Sequence, residues 1–404
     1  MNKQKRQQDI LAIIEKLDIS TTMHQNAVSK YESITKHLES NGIEADMYPQ
    51  GSFALGTVIR PITKDPNAAY DLDFICQIRK CRDQQTAEEL HNEVENILKQ
   101  SNLYGGKLKT YEKCITIEYA DIGDIGFSID IVPAAGETDE IKKHLSTKSA
   151  SPQLIDTAIA IPKACNSGFV WALNNPKGYR TWFEEINLPF KETVAAHQRQ
   201  FLFEANRSIF ASVEDIPHEM IRSSIQRVIQ LLKYHRNVYY SSFNDGDATK
   251  PISAIISTLV ASVAATQHKT ISVFELLNCV LNEFVTYSQY QNLTEKLFFQ
   301  KFPSKNLIYK ENGKWFMKNP AHPEDNLADQ WNQDSDIPQR FFRWIAAAKE
   351  DLLDSLELCD EDFRAKIETA FDPDIVSTNW GNKYRCSNPT PIYSSKVAKP
   401  WKRI

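Results

Sequence analysis

The stretch that decides the fold runs Gln50-Gly51-Ser52, then Asp71-Leu72-Asp73, then Phe127-Ser128-Ile129-Asp130-Ile131-Val132. The first tripeptide is a small-residue turn, and glycine lets the backbone adopt conformations that other residues avoid. Residues 70–78 alternate apolar and polar side chains as a strand does, so Asp71 and Asp73 are expected on one face. The last stretch predicts a second strand with Asp130 among apolar neighbours. The pattern therefore predicts three carboxylates on two neighbouring strands beside a turn.

This pattern has the chemistry of a metal-dependent nucleotidyltransferase. Two divalent ions about 3.5 to 4 Å apart can activate an attacking hydroxyl and stabilise a leaving oxygen, and Mg²⁺ prefers oxygen ligands. We predict that Asp71 and Asp73 bridge two Mg²⁺ ions, with Mn²⁺ as a possible substitute, and that Asp130 completes the catalytic site. A pair of aspartates at this spacing is more often a solvated strand, but uncompensated charges among apolar strands are costly. Gln50, Gly51 and Ser52 are the predicted phosphate contacts.

The composition of the chain limits the classes of protein that could contain such a site. The chain has 404 residues, 42% hydrophobic and 25% charged, which is enough for two core-bearing domains. A formal net charge of -5 argues against a protein that coats duplex nucleic acid. The seven cysteines form no CxxC pair, so free thiols in a reducing compartment are expected. No signal peptide or membrane-length apolar segment is evident, and we expect a cytoplasmic protein.

The period of the hydrophobic residues predicts the secondary structure of the rest of the chain. Helices are predicted over residues 2–17, 20–40, 53–59, 86–100, 216–237, 273–284 and 341–358, and strands over residues 43–48, 109–119 and 125–133. Residues 136–151 are predicted as a polar surface segment. Residues 161–182 are rich in aromatic and turn residues and are predicted to connect two lobes.

The motifs resemble a known family. Gln50-Gly51-Ser52 with Gly56-Thr57, Asp71-x-Asp73 and Asp130 look like the signature of polymerase-β-type nucleotidyltransferases. Within that superfamily the chain resembles the bacterial cyclic GMP-AMP synthase and dinucleotide cyclase-like nucleotidyltransferases (CD-NTases), relatives of oligoadenylate synthetase. Residues 228–234 are similar to the family helix whose lysine, here Lys233, touches the donor triphosphate. Lys250-Pro251-Ile252-Ser253 is similar to the start of the next helix, where the serine faces phosphate.

Residues 319–326 resemble the Asp-Pro-x-x-Pro-x-x-Asn turn of the synthetase group, although Asn319 replaces the usual acidic residue. The resemblance implies an α+β, bilobed polymerase-β-like fold, with a mixed β-sheet lobe in residues 1–190 and a helical-bundle lobe in residues 191–404. The N-terminal helices are expected to bridge the lobes.

The resemblance also implies a template-independent enzyme that uses nucleoside triphosphates and joins two or three nucleotides into a ring. A ribose hydroxyl, in our expectation the 3′ one, attacks the α-phosphate of another nucleotide and pyrophosphate leaves. The cyclic product is expected to diffuse to an effector protein in anti-phage signalling. No membrane and no obligatory duplex nucleic acid are expected as partners, and the sequence names no regulatory partner.

Several alternatives stay open. Lys233 is either a phosphate contact or a solvated lysine at the polar edge of its helix, and Ser253 is either a phosphate contact or an ordinary N-terminal helix residue. An RNA-end or protein-modifying nucleotidyltransferase would share the carboxylates, and an inactive scaffold would bind nucleotide without turnover. One aromatic group either stacks on a nucleobase or, as we favour, forms core between the lobes: Trp171, Tyr179, Trp182 and Phe183.

Overall fold

Strand β5 (Gly126–Gly136) is the centre of a mixed sheet. It pairs parallel with β2 (Ala69–Cys81), which in turn pairs antiparallel with β1 (Ala45–Pro49). The computed structural model describes residues 3–60, 69–119, 126–149, 151–205 and 221–385. Within those residues the main sheet runs β1-β2-β5-β4-β3, and a hairpin of β6 and β7 continues from the end of β5. The expected α+β fold, a mixed sheet with many helices, is confirmed.

The remaining strands are short. They are β3 (Leu108–Thr110), β4 (Ile115–Tyr119), β6 (Ile159–Cys165), β7 (Gly168–Asn174), β8 (Tyr309–Glu311), β9 (Lys314–Phe316), β10 (Lys318–Asn319) and β11 (His322–Asn326). The last four form two small hairpins, β8 with β9 and β10 with β11. These hairpins lie in the otherwise helical second half of the chain.

The helices before residue 206 are α1 (Lys3–Lys16), α2 (Thr21–Ser40), α3 (Gly51–Ala54), α4 (Ala87–Gln100), α5 (Asp139–Lys148) and α6 (Pro176–Ala205). Those after residue 220 are α7 (Ser224–Ser241), α8 (Gly246–Thr249), α9 (Ser253–Ala264), α10 (Val273–Ser288), α11 (Glu295–Lys301), α12 (Asp336–Leu352), α13 (Asp360–Phe371) and α14 (Pro373–Trp380). None of the helices in the described residues has the length and apolar content needed to cross a membrane.

Two hydrophobic cores divide the molecule, and the N-terminal helices contribute to both. Ile10, Ile13 and Ile14 of α1 are fully buried in the larger, helical core. Ile34 and Leu38 of α2 instead join the core between the sheet and α4. The expected boundary at residue 190 falls inside the continuous helix α6, so the division into lobes at that residue stays a prediction.

Several predicted segments differ from the structure. Residues 136–151 contain helix α5, which begins after Thr138, whose side chain accepts a hydrogen bond from the Ile141 N–H at 3.3 Å. Residues 161–182 are mostly the β6–β7 hairpin followed by the start of α6, because Ile159 and Ile161 pack on Val132 of β5. The strand predicted over residues 109–119 is two strands, β3 and β4, joined by a tight turn.

The helix predicted over residues 53–59 is shorter and earlier. It is α3, which begins at Gly51 and ends at Ala54. The backbone then leaves the helix, and the Thr57 N–H donates to the Ser52 carbonyl at 2.9 Å. The turn residues Gly51 and Ser52 are thus the first helical residues, whose N–H groups a helix does not use internally. The beginning of the helix predicted over residues 216–237 lies outside the described residues, and α7 begins at Ser224.

Candidate active site

Asp73 and Asp130 lie side by side because they are direct register partners on the parallel strands β2 and β5. Neighbouring strands are about 4.8 Å apart, so the two half-buried carboxylates share one face of the sheet at close range. Asp71 is in register with Ser128, two residues before the Asp73 and Asp130 pair on the same two strands. The side chain of Asp71 lies outside the described part of the structure, so its place in the site stays a prediction.

A residue of strand β4, which pairs with β5 on the side away from β2, fixes the position of Asp130. Thr116 of β4 is its antiparallel register partner, and the Thr116 hydroxyl donates a hydrogen bond to Asp130 Oδ1 at 2.6 Å. Thr116 is buried, so water competes little for this hydrogen bond. Its position in Ile115-Thr116-Ile117, a hydroxyl inside an apolar strand, is the sequence signal that could have identified it.

The Gly51 turn touches the carboxylate of Asp73. Gly51 has φ +60, and a Cβ placed on it would lie 2.6 Å from Asp73 Oδ2. The Gln50 N–H donates to the Asp73 carbonyl at 2.8 Å, which fixes the turn to the strand. Glycine is therefore required here for its backbone conformation and for lack of space. The turn and the first strand of the site form one unit.

The electrostatics of this region suit a divalent cation. Burial, followed by the charges of Asp130 and Asp73, raises the pKa of the Cys114 thiol to about 12. Carboxylate oxygens are the hard ligands that Mg²⁺ prefers, and Mg²⁺ is commonly held by one or two carboxylates together with substrate phosphates. The described side chains contain no group of three His, Cys, Asp or Glu residues arranged as a metal site. The Asp73 and Asp130 pair fits such an ion, and Asp71 would be the third ligand.

A cleft of about 290 Å³ lies next to the turn and is lined from both halves of the chain. Gln50, Gly51 and Ser52 line it from the first half of the chain, and Ser253 of α9 lines it from the second half. Four of the predicted substrate-binding residues therefore meet at one cavity. The remaining lining residues on the helical side include Ser257, Asn319 and Asp325, and α6 contributes Pro176, Tyr179 and Arg180.

Comparisons with known proteins agree with this geometry. Residues 5–187 match the family model described as the Second Messenger Oligonucleotide or Dinucleotide Synthetase domain. A c-di-GMP synthase of Roseivirga ehrenbergii is 27% identical over 350 residues, which cover 85% of this chain and 78% of the relative. The chain is similar to the bacterial CD-NTases over most of its length. The description of the matching model and the name of this relative support an enzyme of the nucleotidyltransferase class that synthesises cyclic oligonucleotides.

Solved structures support the same fold. The CD-NTase CdnG of Bradyrhizobium diazoefficiens, in complex with GTP, superposes with a TM-score of 0.67 at 19% identity over 93% of this chain and 98% of CdnG. CdnC of E. coli MS115-1, solved with ATP, gives a TM-score of 0.52 at 13% identity over 90% of this chain and 96% of CdnC. The polymerase-β-like CD-NTase fold expected from the sequence is confirmed.

Lys233 is buried rather than solvated. Its ammonium group donates to the Thr57 carbonyl at 3.0 Å, just beyond the Gly51 turn. Burial, helped by the charge of Arg236 and opposed by that of Asp73, lowers the pKa of Lys233 to about 7. The alternative of a solvated lysine at the edge of its helix is therefore wrong. Lys233 is not among the residues that line the cleft, and its contact with phosphate stays a prediction.

Ser253 lies at the cleft, and its contact with phosphate stays a prediction. It is the first residue of α9, and it also lines the cleft. Its hydroxyl accepts a hydrogen bond from the Arg236 guanidinium at 3.2 Å, and Arg236 also donates to the Pro251 carbonyl at 2.9 Å. Sequence analysis missed Arg236, although it lies three residues after Lys233 and therefore on the same face of α7.

The turn at residues 319–326 is the β10–β11 hairpin. The Asn319 side-chain amide donates to Asp325 Oδ2 at 2.9 Å, and both residues line the cleft. Asn326 instead supports the hairpin, because its Oδ1 accepts hydrogen bonds from the N–H groups of Met317 and Ala328. The motif thus contains one structural asparagine and a cleft-facing pair, and the sequence did not single out Asp325.

The aromatic group is divided between core and cleft. Phe183 is 1% exposed and belongs to the helical core, as favoured. Tyr179 lines the cleft, and its hydroxyl is hydrogen-bonded to the Thr258 hydroxyl at 2.8 Å. Trp171 lies on β7 beside Arg82, whose guanidinium is 5.9 Å from the ring centre. Only part of the group is therefore core.

Proposed function

We propose that this protein is a CD-NTase that makes a cyclic dinucleotide from nucleoside triphosphates, with GTP as substrate and cyclic di-GMP as product. The observation that carries the proposal is the register pairing of Asp73 with Asp130 next to the Gly51 turn, at a cleft lined by both halves of the chain. The named activity of the Roseivirga relative and the GTP bound to CdnG favour guanine among the four bases. A trinucleotide product is the alternative ring size.

The proposed reaction repeats one step. The 3′-hydroxyl of one nucleotide forms a bond to the α-phosphorus of another, the bond between that phosphorus and the β-phosphate oxygen breaks, and pyrophosphate and a proton leave. A second step of the same kind closes the ring. Gly51 and Ser52 would receive the triphosphate, because α3 begins there and no Cβ of residue 51 obstructs approach.

Divalent metal, when bound, would supply charge stabilisation to the attacking and leaving oxygens. Asp73 and Asp130 would hold Mg²⁺ together with Asp71. Thr116 would keep the Asp130 carboxylate at its position through their hydrogen bond. Arg236 would orient the Ser253 hydroxyl at the cleft wall, where it can donate to a phosphate oxygen.

The test is product analysis without any polymer or protein acceptor. The protein is incubated with Mg²⁺ and an equal mixture of the four ribonucleoside triphosphates, treated with phosphatase, and analysed by mass spectrometry. Cyclic di-GMP is expected, and it should be absent from an Asp130→Ala sample. A different ring would refute the base or ring-size assignment only. Product that forms only with added RNA or protein would instead support an RNA-end or protein-modifying nucleotidyltransferase.

The biological part of the proposal is that the cyclic product diffuses to an effector protein and takes part in anti-phage signalling. Its test is infection of cells that express the protein with its neighbouring genes. Protection should be lost with Asp130→Ala. Equal protection by that variant would refute a role for the cyclic product.

A further inference from the structure

Gln226 of α7 reaches from the helical half of the molecule to the segment that leaves the phosphate-binding turn. Its Nε2 donates to the Leu55 carbonyl at 2.8 Å. Leu55 is the residue at which α3 ends, and its N–H donates to the Gly51 carbonyl at 3.2 Å. Gln226 is 3% exposed, so this hydrogen bond is shielded from water.

The orientation of the Gln226 amide is fixed from its other end. Gln226 Oε1 accepts a hydrogen bond from the Ser223 N–H at 3.0 Å, and the Ser223 hydroxyl accepts one from the Gln226 N–H at 3.1 Å. This is a capping box at the start of α7. Because the amide oxygen accepts the hydrogen bond of the cap, the NH₂ group of the same amide faces the Leu55 carbonyl.

Gly56 leaves room for this contact because it has no side chain. It has φ +64, and a Cβ on it would lie 2.6 Å from Gln226 Nε2. The backbone after α3 therefore turns in a left-handed conformation under the glutamine amide. A second glutamine one helical turn later repeats the contact, because Gln230 Nε2 donates to the Val58 carbonyl at 3.0 Å.

The contacts form a continuous path to the catalytic carboxylates. Gln226 holds Leu55, Leu55 closes the short helix that begins at Gly51, and Gly51 lies against the Asp73 carboxylate. The path has no intervening side chain that could absorb a displacement of Leu55. A shift of the turn would therefore be passed directly to the position of Asp73 and of the bound phosphate.

We infer that Gln226 is a positioning residue for nucleotidyl transfer, which sets the Gly51 turn against Asp73 by holding the Leu55 carbonyl from the helical lobe. The inference rests on the proposed function and adds a residue outside the cleft's catalytic and phosphate-contacting groups. Misplacement of reacting groups by about 1 Å can cost about 100-fold in rate. The expected signature is a loss of rate that exceeds the loss of stability.

The experiment compares wild-type protein with Gln226→Met, Gln226→Glu and Ser223→Ala. Pyrophosphate release is measured against GTP and Mg²⁺ concentration at 25 °C, and Tm is measured in parallel. Gln226→Met keeps the length but has no donor, and kcat/KM is expected to fall by about tenfold or more with a higher Mg²⁺ requirement. Ser223→Ala weakens the helix cap but keeps the Leu55 contact, so Tm falls by a few degrees while kcat/KM stays within about twofold.

Gln226→Glu supplies a pH-dependent readout. A buried carboxyl is expected to have a raised pKa, and only its protonated form can donate to the Leu55 carbonyl. The ratio of its kcat/KM to that of wild-type protein should therefore rise as pH falls from about 8.5 to 6. A flat ratio would overturn the inference even if Gln226→Met does not fold.

Two other outcomes would also overturn it: Gln226→Met with wild-type kcat/KM, or Ser223→Ala with an equal loss. If wild-type protein releases no pyrophosphate from any triphosphate, the proposed function fails instead. The positioning role is then tested by binding of a fluorescent GTP analogue with Mg²⁺. Gln226→Met should bind it about tenfold more weakly than Ser223→Ala, and equal binding would refute the role.

Discussion

Replacement of Gly51 by alanine tests the contact between the turn and Asp73 of strand β2. The added methyl carbon would lie 2.6 Å from Asp73 Oδ2, whereas ordinary van der Waals contact begins at 3.4 Å, so the two groups must separate by 3.4 − 2.6 = 0.8 Å. The Gln50 N–H is bonded to the Asp73 carbonyl, which limits movement of the turn away from the strand. The carboxylate of Asp73 is therefore the group expected to move.

The effect on rate should be much larger than the effect on stability. A displacement close to 1 Å at a reacting centre costs about 100-fold in rate, so we expect kcat/KM of Gly51→Ala to fall by about two orders of magnitude. Alanine in a left-handed conformation costs about 1 to 2 kcal/mol. In a chain of this size that corresponds to only a few degrees in Tm.

Gly42→Ala is the matched control. Gly42 also has a positive φ, +92, but nothing lies within 4 Å of an added Cβ. It follows the end of α2, far along the chain from the cleft-lining residues. The control should therefore lose a similar few degrees of Tm while it keeps kcat/KM within about twofold of wild type.

The assay is pyrophosphate release with GTP and Mg²⁺ at a temperature well below the lower Tm, normalised to folded protein. Gly51→Ala with more than half of the wild-type kcat/KM would refute the argument that residue 51 determines the position of Asp73. An equal loss in Gly42→Ala would show that backbone strain, rather than contact with the carboxylate, causes the effect.

Three further predictions follow from the same site. Asp130→Ala should abolish pyrophosphate release with Tm within a few degrees of wild type, because it removes a predicted metal ligand and little core volume. Thr116→Val should lower kcat by about tenfold in the same assay because it removes the hydrogen bond to Asp130, whereas Thr116→Ser should not. The pKa of Lys233 falls from 10.5 to about 7 on folding, so the unfolded chain binds a proton that the folded chain does not between those values. The difference in Tm between wild-type protein and Lys233→Met, measured without nucleotide, should therefore increase in favour of wild type as the pH is raised from about 7 to 9.5. A difference that does not change with pH would refute the lowered pKa of Lys233.

The carboxylates could be predicted from the sequence because a strand has a fixed period. Two aspartates two residues apart must share a face of a strand, and the alternation around Asp73 is regular in the observed β2. The register that pairs Asp73 with Asp130 could not be predicted, because it joins strands that are distant along the chain. A shift of one residue would have placed Asp130 on the other face of the sheet.

The environment of Lys233 could not be predicted for a different reason. Helical periodicity identifies an apolar stripe and assigns the polar residues to water, but α7 is buried on nearly all sides. Several of its polar side chains are buried because they have partners on other elements, as Lys233 has at the Thr57 carbonyl. Such partners are set by tertiary structure, and a single sequence contains no periodic signal for them.

These buried contacts also explain why the site depends on both halves of the chain. Residues 55–60 lie outside any helix or strand, so their carbonyl groups need donors from elsewhere if they are to be buried. Helix α7 supplies donors at positions spaced by about one turn, and all of them lie on the face toward this segment. The three contacts are Gln226 to Leu55, Gln230 to Val58 and Lys233 to Thr57. Without the helical half, the backbone after the Gly51 turn would exchange these hydrogen bonds for water and lose the conformation that meets Asp73. The predicted metal ligands therefore belong to the sheet, but the conformation of the turn beside them is completed by the helical half of the chain.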